Sequence, residues 1–185
     1  MDLYTLLGKC KIQFNKKKVF NHEVKIVSDN SKNTLEEGIF VAIKGEVHDG
    51  HNFILDCVQK KVKTIIYDDK YYDYVHFPNT NMLRVHDTKK AISLLASHFY
   101  HQPSLKVNLV ATTGTNGKTT VTTLIYNMYQ LLNEKCSLIG TNGIKICDEV
   151  IYSENTTPGA LMINEVLNMS IKKGIKNVIM EVSSH

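Results

Sequence analysis

The chain has 185 residues, and its 43% hydrophobic content is enough to build either one large domain or two small ones around a real core. Lysine and arginine outnumber aspartate and glutamate by 22 to 18, but Arg84 is the sole arginine. Arginine forks are the usual means of reading guanine and gripping phosphodiesters, so this composition disfavours nucleic-acid binding.

Cysteine usage and hydropathy indicate the cellular compartment. The four cysteines form no C-x-x-C pair and stand among apolar neighbours, a pattern typical of reduced thiols rather than of disulfides or a zinc site. The N-terminus lacks the charged and apolar regions of a secretory leader, and no segment approaches the roughly 20 apolar residues that span a bilayer. We therefore expect an unprocessed cytoplasmic protein without membrane insertion, and no feature predicts its oligomeric state.

The first part of the chain alternates short β-rich runs with helical patterns. The predicted strands cover residues 24–28, 38–45, 63–68 and 82–85, and the predicted helices cover residues 52–61 and 88–100. The second helix has Asp87 or Thr88 as a candidate cap, and Pro103 follows its end. These elements predict a small α/β domain over residues 1–103, with a hinge near residues 99–106.

After the hinge, strands and helices alternate regularly. In chain order we predict a strand at 107–111, a helix at 118–132, a strand at 136–140, a hairpin around Asp148, a helix from 157–158 to 172 and a last strand at 177–182. This alternation is the signature of a parallel, doubly wound sheet, so we expect a second α/β domain over residues 104–185.

The stretch "TTGTNGKTT", residues 112–120, joins the first strand of that domain to its first helix. It departs from the general phosphate-loop pattern G-x-x-x-x-G-K-[ST] at Thr112, where that pattern has glycine. Its context still favours a phosphate site, because the start of a helix presents unpaired N–H groups and the positive end of the helix dipole. An Asn-Gly turn ahead of a charged helix start is the alternative reading.

In a phosphate loop, each residue type has a physical role. Gly114 and Gly117 would let the backbone approach a phosphate oxygen, and Lys118 would reach the β- and γ-phosphates. The Thr119 hydroxyl would bind Mg²⁺, which also needs a carboxylate at the end of a neighbouring strand. Glu181 is the candidate, since it follows an apolar strand and would be costly to bury without a role. The alternative places Glu181 in water on an edge strand.

Three stretches together resemble the Mur ligases of peptidoglycan synthesis: the loop at 112–120, "ENTTP" at residues 154–158 and "MEVSSH" at residues 180–185. The resemblance covers nearly all of the chain, and the family's own phosphate loop accounts for Thr112. Within the family, N-T-T-P together with E-V-S-S-H is specific to the tripeptide synthetases. These enzymes add the third amino acid, diaminopimelate or lysine, to UDP-N-acetylmuramoyl-L-alanyl-D-glutamate at the expense of ATP.

The resemblance implies a role for each motif residue. The ATP phosphates would be cradled by Gly114, Thr115, Asn116, Gly117, Lys118, Thr119 and Thr120. Mg²⁺ would be held by Thr119 and Glu181, and catalysis would depend on Lys118 and Glu181. The muramoyl-dipeptide would contact Asn155, Thr156, Thr157 and Ser183. Helix capping ahead of Pro158 is the alternative for the two threonines, and His185 receives no role.

The first domain also resembles the family, in which a D-S-R triplet and a D-G-H-type turn hold the uridine nucleotide. Here Ser31 matches the serine, Asn30 and Lys32 replace its neighbours, and residues 45–51 supply the turn. The H-x-x-H formed by His48 and His51 has no predicted helix and no third ligand nearby, which favours loop residues lining a substrate pocket over a metal site.

The family's chemistry proceeds through an acyl phosphate. The D-glutamate side carboxylate attacks the γ-phosphorus of ATP, and an incoming amine then attacks the acyl carbon and releases phosphate. The chain reaches only His185, before the family's further motifs, so we expect an incomplete ATP-binding domain, no C-terminal ligase domain and no activity of the chain alone. The alternatives are a non-catalytic nucleotide-binding module and another P-loop enzyme, such as a small-molecule kinase.

Overall fold

The computed structural model describes residues 1–45, 47–71, 73, 75–152 and 155–183. Contacts between Cα atoms divide the chain into two units, Met1–Phe99 and Tyr100–His185, and each unit has its own sheet. Among the described residues, no helix is long and apolar enough to cross a membrane.

The first unit is built on a parallel sheet that runs in the order β1-β2-β3-β4 among the described residues. Its strands are β1 (Ile26–Ser28), β2 (Gly38–Val41), β3 (Thr64–Asp68) and β4 (Asn81–Val85). Its helices are α1 (Leu3–Lys9), α2 (Ile54–Gln59) and α3 (Thr88–Phe99). Helix α2 packs its Ile54 and Cys57 against Phe40 and Tyr67 of the sheet. Helix α3 lies against β1, β2 and β3, and α1 packs against α3.

Helix α1 is an element that the sequence analysis does not predict. The Asp2 side chain caps it by accepting a hydrogen bond from the Thr5 N–H at 3.0 Å. Leu3, Leu6 and Leu7 are fully buried, at the i, i+3, i+4 spacing of a single helix face. This short helix is therefore held by tertiary packing rather than by its length.

The region after β2 differs from the predicted strand and helix. The predicted strand 38–45 ends at Val41, because the chain then folds back on itself through a hydrogen bond from the Gly50 N–H to the Ile43 carbonyl oxygen at 2.8 Å. The predicted helix 52–61 is a 3₁₀ turn, Gly50–Phe53, followed by α2. The second predicted helix is confirmed as α3, with Asp87 accepting from the Lys90 N–H at 2.9 Å.

The second unit contains a mixed sheet in the order β5-β9-β6-β7-β8 among the described residues. Strands β5, β9 and β6 are parallel, whereas β7 and β8 continue from β6 as antiparallel strands and form the predicted hairpin around Asp148. The strands are β5 (Asn108–Thr113), β6 (Cys136–Gly140), β7 (Gly143–Ile146), β8 (Glu149–Ile151) and β9 (Asn177–Val182), and the helices are α4 (Lys118–Leu131) and α5 (Ala160–Lys172).

Neighbouring residues of β6 show that helices cover both faces of this sheet. Leu138 packs with Ile125 and Tyr126 of α4, whereas Ile139 packs with Val166 of α5. Because successive strand residues point to opposite faces, α4 and α5 lie on opposite sides of the sheet. The predicted doubly wound α/β architecture is therefore confirmed.

Candidate functional site

The loop between β5 and α4 has the backbone form of an anion site. Gly114 and Gly117 have positive φ angles of 145° and 81°, which side chains rarely allow. Gly117 precedes α4 without a side-chain cap, so the first N–H groups of that helix are available to a ligand. The Lys118 ammonium donates a hydrogen bond to the Gly114 carbonyl oxygen at 2.7 Å, which places it over the loop.

The remaining predicted loop residues are open to solvent. Thr115, Asn116 and Thr120 are exposed, whereas Thr119 is half-buried on the first turn of α4. Behind it, the Thr122 hydroxyl is fully buried and donates to the Lys118 carbonyl oxygen at 3.0 Å. The Thr122 hydrogen bond thus anchors the start of α4, while the loop residues before it are exposed to solvent.

Glu181 lies beside this loop because β9 is the strand between β5 and β6. Its side chain is buried, with 1% of its surface exposed, so the alternative of an edge-strand glutamate in water is wrong. The Glu181 Oε2 accepts a hydrogen bond from the Thr119 hydroxyl at 2.9 Å. The predicted hydroxyl and the predicted carboxylate are therefore in direct contact at the carboxyl ends of the parallel strands.

Thr141 is a site residue that the sequence analysis does not single out. It follows β6, and its backbone N–H donates to Glu181 Oε1 at 3.0 Å while its hydroxyl donates to Oε2 at 3.2 Å. The sequence signal is a polar residue directly after an apolar strand, the same signal that marks Glu181. Identifying it requires knowing that β6 pairs with β9.

The predicted substrate residues of the second unit meet at the end of β9. The Thr157 hydroxyl donates to the Glu181 carbonyl oxygen at 3.0 Å and accepts from the Ser183 N–H at 2.8 Å. Thr156 lies 3.2 Å from the Thr141 hydroxyl, and Asn155 is exposed. The motif residues Glu154, Ser184 and His185 lie outside the described residues.

Thr156 and Thr157 do not cap α5, so the capping alternative for these two threonines is wrong. Helix α5 begins at Ala160, and Gly159 is its cap residue without a side-chain hydrogen bond. The hydroxyls of Thr156 and Thr157 are directed instead to Thr141 and to the end of β9. They are therefore part of the site around Glu181 rather than of the helix start.

In the first unit, Ser31 and the turn after β2 follow the carboxyl ends of neighbouring parallel strands. Ser31 is half-buried, and its carbonyl oxygen accepts a hydrogen bond from the Lys60 ammonium at 2.7 Å. The Asn30 side chain accepts from the Lys32 N–H at 2.9 Å, so the asparagine variant of the triplet shapes the local turn. Glu46, within the predicted turn, lies outside the described residues.

His51 is buried rather than lining a pocket. Its Nε2 accepts a hydrogen bond from the Asp68 N–H at 3.1 Å, so the ring proton is on Nδ1, which donates to Asp49 at 2.7 Å. His48 is exposed, and the described residues contain no group of three or more His, Cys, Asp or Glu side chains placed to hold a metal. His51 is thus a structural residue of the turn, whereas His48 lies on its exposed side.

Burial disfavours ionisation of two thiols, Cys10 and Cys136. Burial raises the pKa of Cys10 and of Cys136 to about 11, and both are free cysteines. A thiol needs to ionise before it can bind a metal or attack a disulfide, so neither residue is poised for such chemistry.

Known proteins are similar to this chain over the residues that form this site. The sequence model named Mur ligase middle domain matches residues 112–185, from the phosphate loop through Glu181. The UDP-N-acetylmuramoyl-L-alanyl-D-glutamate–2,6-diaminopimelate ligase 2 of Clostridium acetobutylicum is 40% identical over 167 residues, which are 89% of this chain and 34% of that protein. The chain is related to the Mur ligases, and its residues 112–185 match their middle domain.

Another Mur ligase relative, UDP-N-acetylmuramyl-tripeptide synthetase 2 of Oceanobacillus iheyensis, is 34% identical over 186 residues, covering 100% of this chain and 37% of that protein. This chain therefore spans about a third of the length of the curated relatives it matches. Ser31 and the turn after β2 lie outside the matched middle domain.

Solved Mur ligase structures share the fold. A UDP-N-acetylmuramoyl-L-alanyl-D-glutamate–2,6-diaminopimelate ligase superposes with a TM-score of 0.70 at 22% identity, covering 88% of this chain and 32% of that chain. The MurF ligase from Thermotoga maritima, solved in complex with ADP, superposes with a TM-score of 0.58 at 24% identity, covering 87% and 32%.

Proposed function

We propose that this chain forms the ATP-binding and UDP-sugar-binding part of a ligase that adds the third amino acid to UDP-N-acetylmuramoyl-L-alanyl-D-glutamate. The observation that carries the proposal is the contact of 2.9 Å between the Thr119 hydroxyl and the buried Glu181 carboxylate at the start of α4. The names of the curated relatives support the same reaction, with diaminopimelate as the amino acid in several of them.

Residues 114–120 would hold the ATP phosphates. The uncapped N–H groups of α4 and the Lys118 ammonium supply positive charge where the β- and γ-phosphates would lie. This placement suits phosphoryl transfer, because two anions need to approach each other and alignment and charge neutralisation provide most of the catalysis.

The Thr119 hydroxyl and the Glu181 carboxylate fit a magnesium ion. Both are hard oxygen ligands, and Mg²⁺ usually takes one or two such protein ligands together with phosphate oxygens and waters. Glu181 is buried, yet its described hydrogen-bond donors are the neutral groups of Thr119 and Thr141, so its negative charge has no cationic partner among them. When bound, Mg²⁺ would neutralise charge on the phosphates.

The substrates would be held by polar groups at the carboxyl ends of both sheets. Asn155, Thr156, Thr157 and Ser183 would orient the muramoyl-dipeptide, whose D-glutamate carboxylate attacks the γ-phosphorus and releases ADP. The acyl phosphate then reacts with the incoming amine. Ser31 and the turn after β2 would bind the uridine nucleotide, with residues 1–103 as the UDP-sugar domain and residues 104–185 as part of the ATP domain.

We also propose a cytoplasmic location for the protein. ATP and UDP-sugars are cytoplasmic metabolites, and the described cysteines are free thiols rather than disulfides. The proposal therefore keeps the cytoplasmic location predicted from cysteine usage.

Calorimetric titration of the chain with ATP, with and without Mg²⁺, tests the nucleotide site. We expect Lys118→Ala to lower ATP affinity by roughly tenfold to a hundredfold, because a charge-assisted hydrogen bond contributes about 1.5–3 kcal/mol. Lys135→Ala, an exposed lysine of the same unit, is the matched control and should leave the affinity within twofold. Equal ATP affinity in the wild type and Lys118→Ala would contradict the assignment.

Titration with the UDP-muramoyl dipeptide tests the substrate assignment. Ser31→Ala should weaken its binding while leaving ATP affinity unchanged. ADP release measured with the dipeptide and diaminopimelate then separates ligation from the alternative of a non-catalytic nucleotide-binding module. That alternative predicts tight Mg-ATP binding without turnover.

A further inference from the structure

Thr141 connects three parts of the site that are distant in sequence. Its hydroxyl lies 3.2 Å from Glu181 Oε2 and 3.2 Å from the Thr156 hydroxyl, and 3.5 Å from the Thr119 hydroxyl. Thr119 is on α4, Thr156 precedes α5 and Glu181 is on β9. A single side chain thus joins the phosphate loop, the carboxylate and the segment that precedes α5.

The chemistry of the groups determines the direction of these hydrogen bonds. A carboxylate oxygen only accepts, so the Thr141 hydroxyl directs its single hydrogen to Glu181 Oε2. Its lone pairs are then left to accept from the Thr156 hydroxyl. The result is a continuous chain in which Thr156 donates to Thr141 and Thr141 donates to the carboxylate.

The backbone at Gly140 and Thr141 lies close to the same Glu181 carboxylate. A Cβ atom added to Gly140 would lie 2.2 Å from Glu181 Oε1, so only glycine leaves room for the carboxyl group at this position. The Thr141 N–H then reaches Oε1 at 3.0 Å. Glu181 is therefore held at both oxygens by one residue, while Thr119 approaches Oε2 from the phosphate loop.

We propose that Thr141 is the positioning residue that orients the Glu181 carboxylate toward a divalent cation and links that cation to the segment carrying Thr156. With a cation bound, Oε2 and the Thr119 hydroxyl would be directed to it, so Oε2 would be a weaker acceptor for the Thr141 hydroxyl. The Thr141 hydroxyl would then reorient and change the hydrogen bond that it accepts from Thr156. Occupancy of the metal site would therefore affect the conformation of the segment at 155–157. This inference rests on the proposed nucleotide and Mg²⁺ site.

Two substitutions distinguish the contribution of the Thr141 hydroxyl from that of the Thr141 side-chain volume. Thr141→Val keeps the side-chain shape and the backbone N–H bond to Oε1 but removes the hydroxyl. Thr141→Ser keeps the hydroxyl and removes a methyl group. Thr141 is at a strand end and exposed, so neither change opens a cavity in the core.

The first measurement is ADP affinity by calorimetry, with Mg²⁺ and with EDTA. We expect Mg²⁺ to tighten ADP binding in the wild type, and Thr141→Val to lose at least fivefold of this gain while its affinity in EDTA stays within twofold. Thr141→Ser should recover the gain. A purely structural role of Thr141 would change both conditions alike, and an unchanged Mg²⁺ gain in Thr141→Val would overturn the inference.

The second measurement uses the wild type and therefore does not depend on the folding of a variant. Adding Mg²⁺ to the ADP-saturated, ¹⁵N-labelled wild-type chain should shift the Thr156 amide resonance. A Thr156 resonance that does not respond to Mg²⁺ would overturn the link between the two segments. A wild type that binds no ADP, or binds it equally with and without Mg²⁺, would instead overturn the proposed function.

Discussion

Two carboxylates at the ends of the two sheets have different surroundings: Asp49 of the first unit is half-buried, and Glu181 of the second unit is buried. In the first unit, the Lys44 ammonium contacts Asp49 at 2.9 Å and His51 donates to the same carboxylate at 2.7 Å, so its charge is neutralised within the fold. In the second unit, Glu181 is held by the hydroxyls of Thr119 and Thr141. Hydroxyls orient a carboxylate without cancelling its charge, which leaves it able to attract a cation. The first arrangement stabilises a turn, whereas the second fits the cation site that we propose.

The second unit exposes more apolar side chains than the first on the strands and helices compared here. The strands of the first sheet are largely buried, and Leu95 of α3 is fully buried. In the second unit, Leu109 and Val110 of β5 are exposed, and along α4 the side chains of Leu124 and Leu131 are 58% and 83% exposed. Parallel sheets are normally covered on both faces, so β5 and the outer face of α4 have surface that a further polypeptide segment could cover.

The largest expected effect contrasts two leucines. Leu95→Ala should lower the free energy of unfolding by about 2–5 kcal/mol, because it removes a fully buried side chain and leaves a cavity. Leu124→Ala should change it by less than about 0.5 kcal/mol, since this side chain is mostly in water. Urea denaturation followed by circular dichroism measures both. Similar losses for the two variants would contradict the difference in burial between the units.

Two histidines of one turn test the structural role assigned to it. His51→Ala should cost about 2–3 kcal/mol, because the Asp68 N–H loses its buried partner. His48→Ala is the matched control, and the exposed position should tolerate it within about 0.5 kcal/mol. Both variants should bind Mg-ADP like the wild type. Equal losses of unfolding free energy in the two variants, or a loss of nucleotide affinity in either, would contradict the structural role that we assign to His51.

Gly140→Ala tests the carboxylate site in the second unit. The new Cβ would meet Glu181 Oε1 at 2.2 Å, so we expect about 1–3 kcal/mol of destabilisation together with loss of the Mg²⁺-dependent gain in ADP affinity. Gly159→Ala is the control, because nothing lies within 4 Å of a Cβ at that position. Thermal unfolding and calorimetry of both variants give the result, and normal Mg-ADP binding by Gly140→Ala would contradict the described fit.

Acid should weaken the first unit through Asp49. Burial alone would raise the pKa of Asp49, but hydrogen bonds from Lys44 and from the backbone and ring of His51 outweigh it and lower the pKa to about 2. Because the folded pKa lies below the unfolded value of 3.8, the stabilisation is complete above pH 3.8 and is lost as the pH falls toward 2.

The ionised Asp49 carboxylate should contribute on the order of 1–2 kcal/mol to the free energy of unfolding. This contribution is measured as the difference in urea stability between the wild type and Asp49→Asn across pH 2–5. The difference should shrink toward pH 2, and a difference that is independent of pH would show that the Asp49 charge does not contribute.

Sequence patterns predicted the long, regular elements better than the short ones. The strands at 136–140 and 177–182 have the predicted bounds, because an apolar run bounded by polar residues marks a buried strand clearly. Helix α1 and the 3₁₀ turn at Gly50–Phe53 were not predicted, although Asp2 and the spacing of Leu3, Leu6 and Leu7 indicate a capped helix. Short helices depend on contacts with the rest of the fold, which a local pattern does not contain.

By itself, the sequence determined the local chemistry of the phosphate loop. Two glycines, a lysine and a threonine at the start of a helix have the backbone geometry of an anion site, which neighbouring residues specify. The tertiary structure alone decided which strand lies beside that loop. Glu181 and Thr141 reach Thr119 because β9 pairs with both β5 and β6. Strand order depends on pairing between residues far apart in the chain, and no local pattern encodes it.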